Sequence, residues 1–262
     1  MGNIELNYGS LSIAFLLLAI PLALSFKYKL KIEKPIIYST LRMTIQLILV
    51  GYYLKYLFEI NNVFLNILWL IVMIIIAVWS AFKSFSMKIN VVLLPAFISF
   101  FISTFFIVIF INYFVLKLTY VFDARYLIVL GGMVLGNSLR GNIIGISHFY
   151  TTIRKDMKNF MYILSLGATL DEAVLPYLKE SINIALKPTF AAMATMGIVA
   201  LPGMMTGVIL GGQPPENAIK YQIMIMMAIL AGTILSIFLT INMTKKVCFK
   251  RNGELRGDIF DK

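Results

Sequence analysis

LPGMMTGVILGGQPP, residues 201–215, sets Gly203, Gly207 and Gly211 four residues apart in an apolar run that begins near 188 and ends near 212. At 3.6 residues per turn this spacing puts the three glycines on one helix face and leaves that face without side chains. Lipid gives two helices no hydrophobic reason to associate, so close backbone approach through small residues is what holds them together. Pro202 removes one helical hydrogen bond where the face begins and can kink the helix there. The stretch reads as a membrane helix built to pack against another element.

Composition extends this reading to the whole chain. Of 262 residues, 60% are hydrophobic and 13% charged, against roughly 25% charged in soluble domains. Seven apolar runs approach the ~20 residues needed to cross a bilayer; they lie at about 10–26, 36–58, 63–82, 91–116, 126–149, 188–212 and 218–243. The expected fold is all-α and polytopic, one transmembrane domain over 1–262 with a longer polar connection at 150–187 and a basic tail at 244–262. The first residues hold Glu5 and no Lys or Arg, so the charged start of a cleavable signal peptide is missing. Cys248 is the single cysteine, which excludes an intrachain disulfide.

The net charge of +11 is accounted for by topology, with no need of nucleic acid. Seventeen of the 23 Lys and Arg fall after the first, third, fifth and seventh runs, whereas Lys55, Lys117, Arg125 and Lys220 fall on the other side. The positive-inside rule then places the N-terminus outside and the C-terminus in the cytoplasm. The polar connection is cytoplasmic on this count, and its first part is amphipathic: Ile153, Met157, Phe160, Met161 and Leu164 share a helical stripe. Gly167 punctuates, and Thr169-Leu-Asp-Glu172 forms a capping box that starts a new helix. Pro176 lies too deep to be a first-turn proline and is expected to split or kink that helix. The stripe fits two roles, a helix lying on the bilayer surface or a docking element for a cytoplasmic partner.

Several chemistries are absent from the sequence. No glycine is followed by lysine, so there is no GxxxxGK[ST] loop to cradle a nucleotide, and any ATP-driven work belongs to another polypeptide. No catalytic set is evident around His148, the one histidine, so the chain is not expected to be an enzyme. None of the 12 carboxylates lies well inside a proposed span, which argues against a proton relay and denies a bare hard cation its preferred ligands. No internal repeat at fixed spacing appears, which weakens an inverted-repeat carrier reading.

The embedded polar residues are basic or amide. Arg42 and Gln46 lie one turn apart in the second run. GNSLRGN, 136–142, carries Asn137, Arg140 and Asn142 in the fifth, among Gly132, Gly136, Gly141 and Gly145. Gln222 opens the seventh. An embedded charge is costly and marks a functional candidate, although an arginine near a helix end also snorkels to the interface. Met193, Met196, Met204, Met205, Met224, Met226 and Met227 crowd the last two runs. Thioethers suit Cu(I); packing against lipid and helices is the commoner reason for them, and no metal site is assigned.

These motifs together resemble a known family. The matching stretches are R-x-x-x-Q-L at 42–47 with Gly51 following, A-R-Y-L at 124–127 leading to G-M-V-L-G-N-S at 132–138, L-G-A-T-x-x-E-A at 166–173, and L-P-G-M-M-T-G-x-x-L-G-G-x-P-P-x-x-A-x-x-Y-Q-I at 201–223. They are similar to the FetB-type iron-export ABC transporter permeases, which also look like the membrane subunits of plant aluminium-tolerance transporters. The resemblance implies a multi-pass permease of the cytoplasmic (inner) membrane, acting as a homodimer with a separate ATP-binding subunit that binds ATP and Mg. No cofactor is implied in this chain. Leu166, Gly167, Ala168, Thr169, Glu172 and Ala173 would couple to the ATPase. Arg42, Gln46, Asn137, Arg140 and Gln222 would line the path, and Gly132, Gly136, Pro202, Gly203, Gly207 and Gly211 would serve helix packing. Iron efflux is the expected activity. Export of a nucleotide-sugar or another anionic solute is the alternative that the embedded arginines and amides favour. An ATP-independent carrier or channel is the alternative of another class.

Overall fold

The computed structural model describes residues 7–84, 87–250 and 252–260. Glu5, and Arg251 and Lys262 of the basic tail, lie outside the described residues. Among the described residues the secondary structure is helical apart from three isolated β-bridges, so the expected all-α fold holds.

The chain divides into two compact units, Met1–Ile60 with Leu210–Gly212, and Asn61–Ile209 with Gln213–Lys262. In the first unit, α1 (Tyr8–Ala14) runs through a 3₁₀ stretch, Phe15–Leu18, into α2 (Ala19–Tyr28), and α3 (Glu33–Ile60) follows. The α2–α3 turn is fixed by Ser25, whose hydroxyl donates to the Glu33 carboxylate at 2.6 Å and accepts from the Ile32 amide at 3.3 Å. Most large apolar side chains of α3 are exposed, among them Leu41, Ile45 and Leu49. Lipid tails are as apolar as leucine, so such a surface is stable in a bilayer.

The second unit holds the core. It comprises α4 (Val63–Ser84), α5 (Ile89–Phe110) with a π-helical turn Ile111–Val115, α6 (Ala124–Lys155), α7 (Met157–Ser165), α8 (Leu170–Thr195), α9 (Gly203–Leu210) and α10 (Pro215–Cys248). Helix α10 packs on α5 and α6, and α6 packs on α4 and α8. Asp123 caps α6, its carboxylate accepting from the Arg125 amide at 2.9 Å. Pro215 sits at the first position of α10, where its missing N–H costs nothing.

The α6–α10 seam is made by small residues. A Cβ on Gly232 would stand 2.7 Å from Val134 Cγ1, one on Gly145 would stand 3.1 Å from Ile237 Cγ2, and one on Gly141 would collide with the Thr233 methyl. Buried polar groups line the same seam. The Asn142 amide donates to Ser236 Oγ and to the Ser138 carbonyl, each at 2.8 Å.

Six described helices are long and apolar enough to cross a membrane: Gly9–Tyr28, Glu33–Ile60, Val63–Lys83, Asn90–Val115, Ala124–Lys155 and Pro215–Cys248. The run expected at 188–212 is not one helix. Helix α8 reaches Thr195, the chain turns through 196–202 with Gly197 at φ +83°, and α9 begins only at Gly203. That φ lies in the left-handed region, where an L side chain is strained and glycine is not. Pro202 therefore leads into α9 and does not kink a longer helix; its carbonyl accepts from the Thr206 amide at 2.9 Å. Pro176, by contrast, does not split its helix: α8 is continuous through both Pro176 and Pro188. Pro176 lies on the exposed side of the helix, whose other face buries Ala173, Val174, Tyr177 and Leu178, and that burial outweighs the one hydrogen bond a proline removes.

Candidate functional site

Candidate sites lie at two ends of the second unit. At one end α6, α7, the start of α8, the end of α10 and the chain's tail come together. Helix α7 ends at Ser165, and Gly167 follows at φ +95°, the left-handed residue that commonly stops a helix. Thr169 then caps α8 as the sequence implies: its hydroxyl accepts from the Glu172 amide at 3.3 Å, and the Glu172 carboxylate accepts from the Thr169 amide at 2.8 Å.

The hairpin base is anchored. Phe160 is fully buried, edge-on to Tyr177 at 5.9 Å and tilted against Phe249 at 5.8 Å. The Tyr177 hydroxyl donates to Asp156 at 2.8 Å. The apolar stripe that includes Ile153 and Phe160 is thus covered by the protein itself, which removes the exposed face a surface-lying helix needs. The tail contributes: Lys88 N donates to the Ile259 carbonyl at 2.8 Å, and Arg154 lies 5.1 Å from the Phe260 ring centre. The hairpin tip is uncovered. Leu166 is 69% and Tyr162 62% exposed.

Two acids sit beside this tip, and both are committed. The hydrogen bond and charge of Lys245, 2.8 Å away on α10, hold the Asp171 carboxyl below the usual carboxylate range. The backbone and hydroxyl of Thr169 lower Glu172 likewise. Glu172 thus holds the capping box through one carboxylate oxygen while its side chain stays exposed.

At the opposite end, where α6 and α10 begin, lie two cavities. One of about 450 Å³ is lined by Arg125 and Tyr126 of α6, by Met204 and Val208 of α9, and by Gln213, Asn217 and Tyr221. It offers a cation, two amides and two phenols, a set suited to an anionic or hydroxyl-rich solute. The other, of about 400 Å³, lies between the end of α8, α9 and α10 and includes Gln222.

The path candidates are distributed as follows. Arg42 and Gln46 are exposed one turn apart on α3, in the first unit. Arg140 is exposed and Asn137 half-buried on α6, the latter donating to its own helix at Met133 O, 2.8 Å. Gln222 is 6% exposed on α10. The side-chain hydrogen bond from α6 to α10 is made by Asn142, beside the buried Ser138, neither of which was ranked among the path residues by sequence reasoning. The signal was present in their i, i+4 spacing with Gly141 and Gly145 on the same side. Among the glycines, Gly132 would meet Met73 Cε at 3.2 Å, whereas Gly136, Gly203 and Gly207 face nothing within 4 Å among the described residues. Gly211 precedes Gly212, whose φ of +83° ends α9. His148, read as a bland interfacial residue, contacts Ser181 at 3.2 Å and Glu180 at 3.7 Å on α8.

Membrane-length apolar helices joined by a small-residue seam define a multi-pass membrane protein, and its relatives are permeases and membrane proteins. The family described as "Uncharacterised protein family (UPF0014)" matches residues 8–249, and the chain belongs to it. It is 32% identical over 256 residues to the "Probable iron export permease protein FetB" of Escherichia coli (strain K12), covering 97% of each chain. It is 29% identical over 252 residues to the "UPF0014 membrane protein YjkA" of Bacillus subtilis (strain 168), covering 96% of this chain and 99% of that one. Protein ALUMINUM SENSITIVE 3 of Arabidopsis thaliana is 30% identical over 233 residues, covering 86% of this chain and 81% of the relative. No solved structure matches.

Proposed function

We propose that this chain is the membrane-spanning subunit of an ABC exporter, powered by a separate ATP-binding subunit, and that its cargo is iron. The observation that carries the reading is the α7–α8 hairpin. Its base is locked by Phe160, Tyr177 and Asp156, while Leu166 and Tyr162 at its tip stay uncovered. A rigid element that ends in exposed apolar side chains outside the membrane is built to seat in a partner's groove. The sequence has no phosphate-binding loop of its own, so ATP and its Mg²⁺ would be held by that partner. The iron assignment follows the printed name of the Escherichia coli relative.

Two copies would form the permease. The open faces at Gly136, Gly203 and Gly207 suit contact with a second chain, and Arg42, Gln46, Asn137, Arg140 and Gln222 are the side chains proposed to line the path. A second reading of the cargo has its own support. The cavity that holds Arg125, Gln213 and Asn217 favours an anionic solute, such as a metal chelate or a nucleotide-sugar, over a bare cation.

The test is copurification of the chain with a Walker-motif ATPase encoded in a neighbouring reading frame. Leu166→Asp, which alters a side chain that supports nothing in the fold, is expected to release the ATPase and leave the thermal unfolding of the permease unchanged. Retention of both the ATPase and ATP-dependent efflux in that variant would contradict the docking role.

A further inference from the structure

Five of the 15 methionines, Met193, Met196, Met205, Met226 and Met227, line the single cavity of about 400 Å³ between the end of α8, α9 and α10. Three separate chain segments supply them, so they come together only in the folded protein. Gln222 lines the same cavity at 6% exposure; its amide N–H₂ donates to Met196 Sδ at 3.6 Å, and its carbonyl oxygen is buried with no hydrogen-bond partner. An unmet amide oxygen keeps its desolvation cost, and in this cavity it stands beside the thioethers as a further neutral donor.

We propose that this cavity is a binding site for a soft monovalent metal ion of the Cu(I) type. Thioethers are soft, polarisable ligands that select Cu(I) over hard cations. The lining offers neutral donors only, thioethers and one amide oxygen, with Met205 and Met226 the buried ones and Met227 at the exposed rim, and desolvation of an ion grows with the square of its charge. A monovalent ion is therefore accommodated where a divalent one without carboxylates is not. Among the described residues no group of three or more His, Cys, Asp or Glu is placed to hold a metal, which leaves the Cys248 thiol as the competing soft ligand to be controlled for. The site is a property of the isolated chain and does not depend on the iron-export reading or on an ATPase.

The experiment uses the full-length purified chain in detergent, without nucleotide or partner, and Ag(I) as the redox-inert probe. After gel filtration, wild type is expected to retain one Ag(I) per chain. Met196→Leu with Met226→Leu, a volume-conserving pair, is expected to weaken retention roughly 10-fold or more. Met43→Leu, on α3, and Cys248→Ser are expected to leave it unchanged. X-ray absorption of the wild type loaded with Cu(I) under reducing conditions is expected to show a sulfur-dominated shell, a readout independent of any variant. Retention that survives the methionine pair, retention lost with Cys248→Ser, or a shell of nitrogen and oxygen alone would overturn the proposal.

Discussion

The seam between α6 and α10 and the stripe on α9 use the same spacing and end in opposite states. Gly141 and Gly145 lie four residues apart, as do Gly203 and Gly207. The first pair is pressed against Thr233 and Ile237, while the second faces nothing within 4 Å among the described residues. Spacing alone therefore says that a helix is prepared for close approach and not what approaches it. The difference is made by the opposing ridge: α10 presents Thr233 and Ile237 to the first pair, with Gly232 itself accepting Val134 in return. A seam whose partner is in the same chain contributes to folding. A stripe without one is available for contact with another chain.

Substitutions separate the two. Gly232→Leu forces side-chain atoms into Val134, and overpacking of this kind costs about 1–3 kcal/mol; thermal unfolding in detergent is expected to fall accordingly. Gly207→Leu, with open space at its Cβ, is expected to leave unfolding within about 0.5 kcal/mol of wild type and to shift the chain toward monomer in light scattering. A large loss of stability at Gly207 would erase the distinction. Asn142→Leu tests how much the seam owes to polarity. It removes the bond to Ser236, about 0.6 kcal/mol for an average interhelical hydrogen bond, and also removes a buried oxygen that has no partner. Chemical denaturation should therefore show a loss below about 1 kcal/mol.

The smallest effect is at the end of α10, where Lys245 pairs with Asp171 of α8. The Asp171 pKa is depressed in the folded chain, so the pairing contributes above the ordinary carboxylate pKa and is lost as pH falls through the lowered value. Hydrogen exchange at the first turn of α8 should rise as pH falls below the ordinary carboxylate range, and Lys245→Ala should reduce that dependence to the part carried by the Glu172 capping box. Exchange at Gly203–Leu210 should not respond.

Much of this was legible in the sequence. Hydropathy located the membrane-length helices, and Thr169-x-x-Glu172 with Gly167 fixed the hairpin turn almost to the residue, because caps and left-handed stops are local chemistry. The break at 196–202 was not legible. The apolar run 188–212 has no charged interruption, and Gly197, at positive φ, with Pro202 marks where two helices meet. The continuity of α8 through Pro176 was missed for the opposite reason: tertiary burial around Ala173, Val174 and Tyr177 overrides a local breaker. The methionines were visible as a list, but their convergence on one cavity needs three segments folded together. Among the site candidates, residue type pointed to Arg140 and Asn137, whereas the α10-facing partners are Ser138 and Asn142, a distinction of helical phase.

The central claim, an ATP-driven exporter subunit, is tested most directly by reconstituting the chain with its ATP-binding partner in liposomes loaded with an iron-sensitive fluorophore. The account predicts iron movement that requires both proteins and hydrolysable ATP. Iron movement by this chain alone at an undiminished rate, or none with both proteins and ATP present, would contradict it.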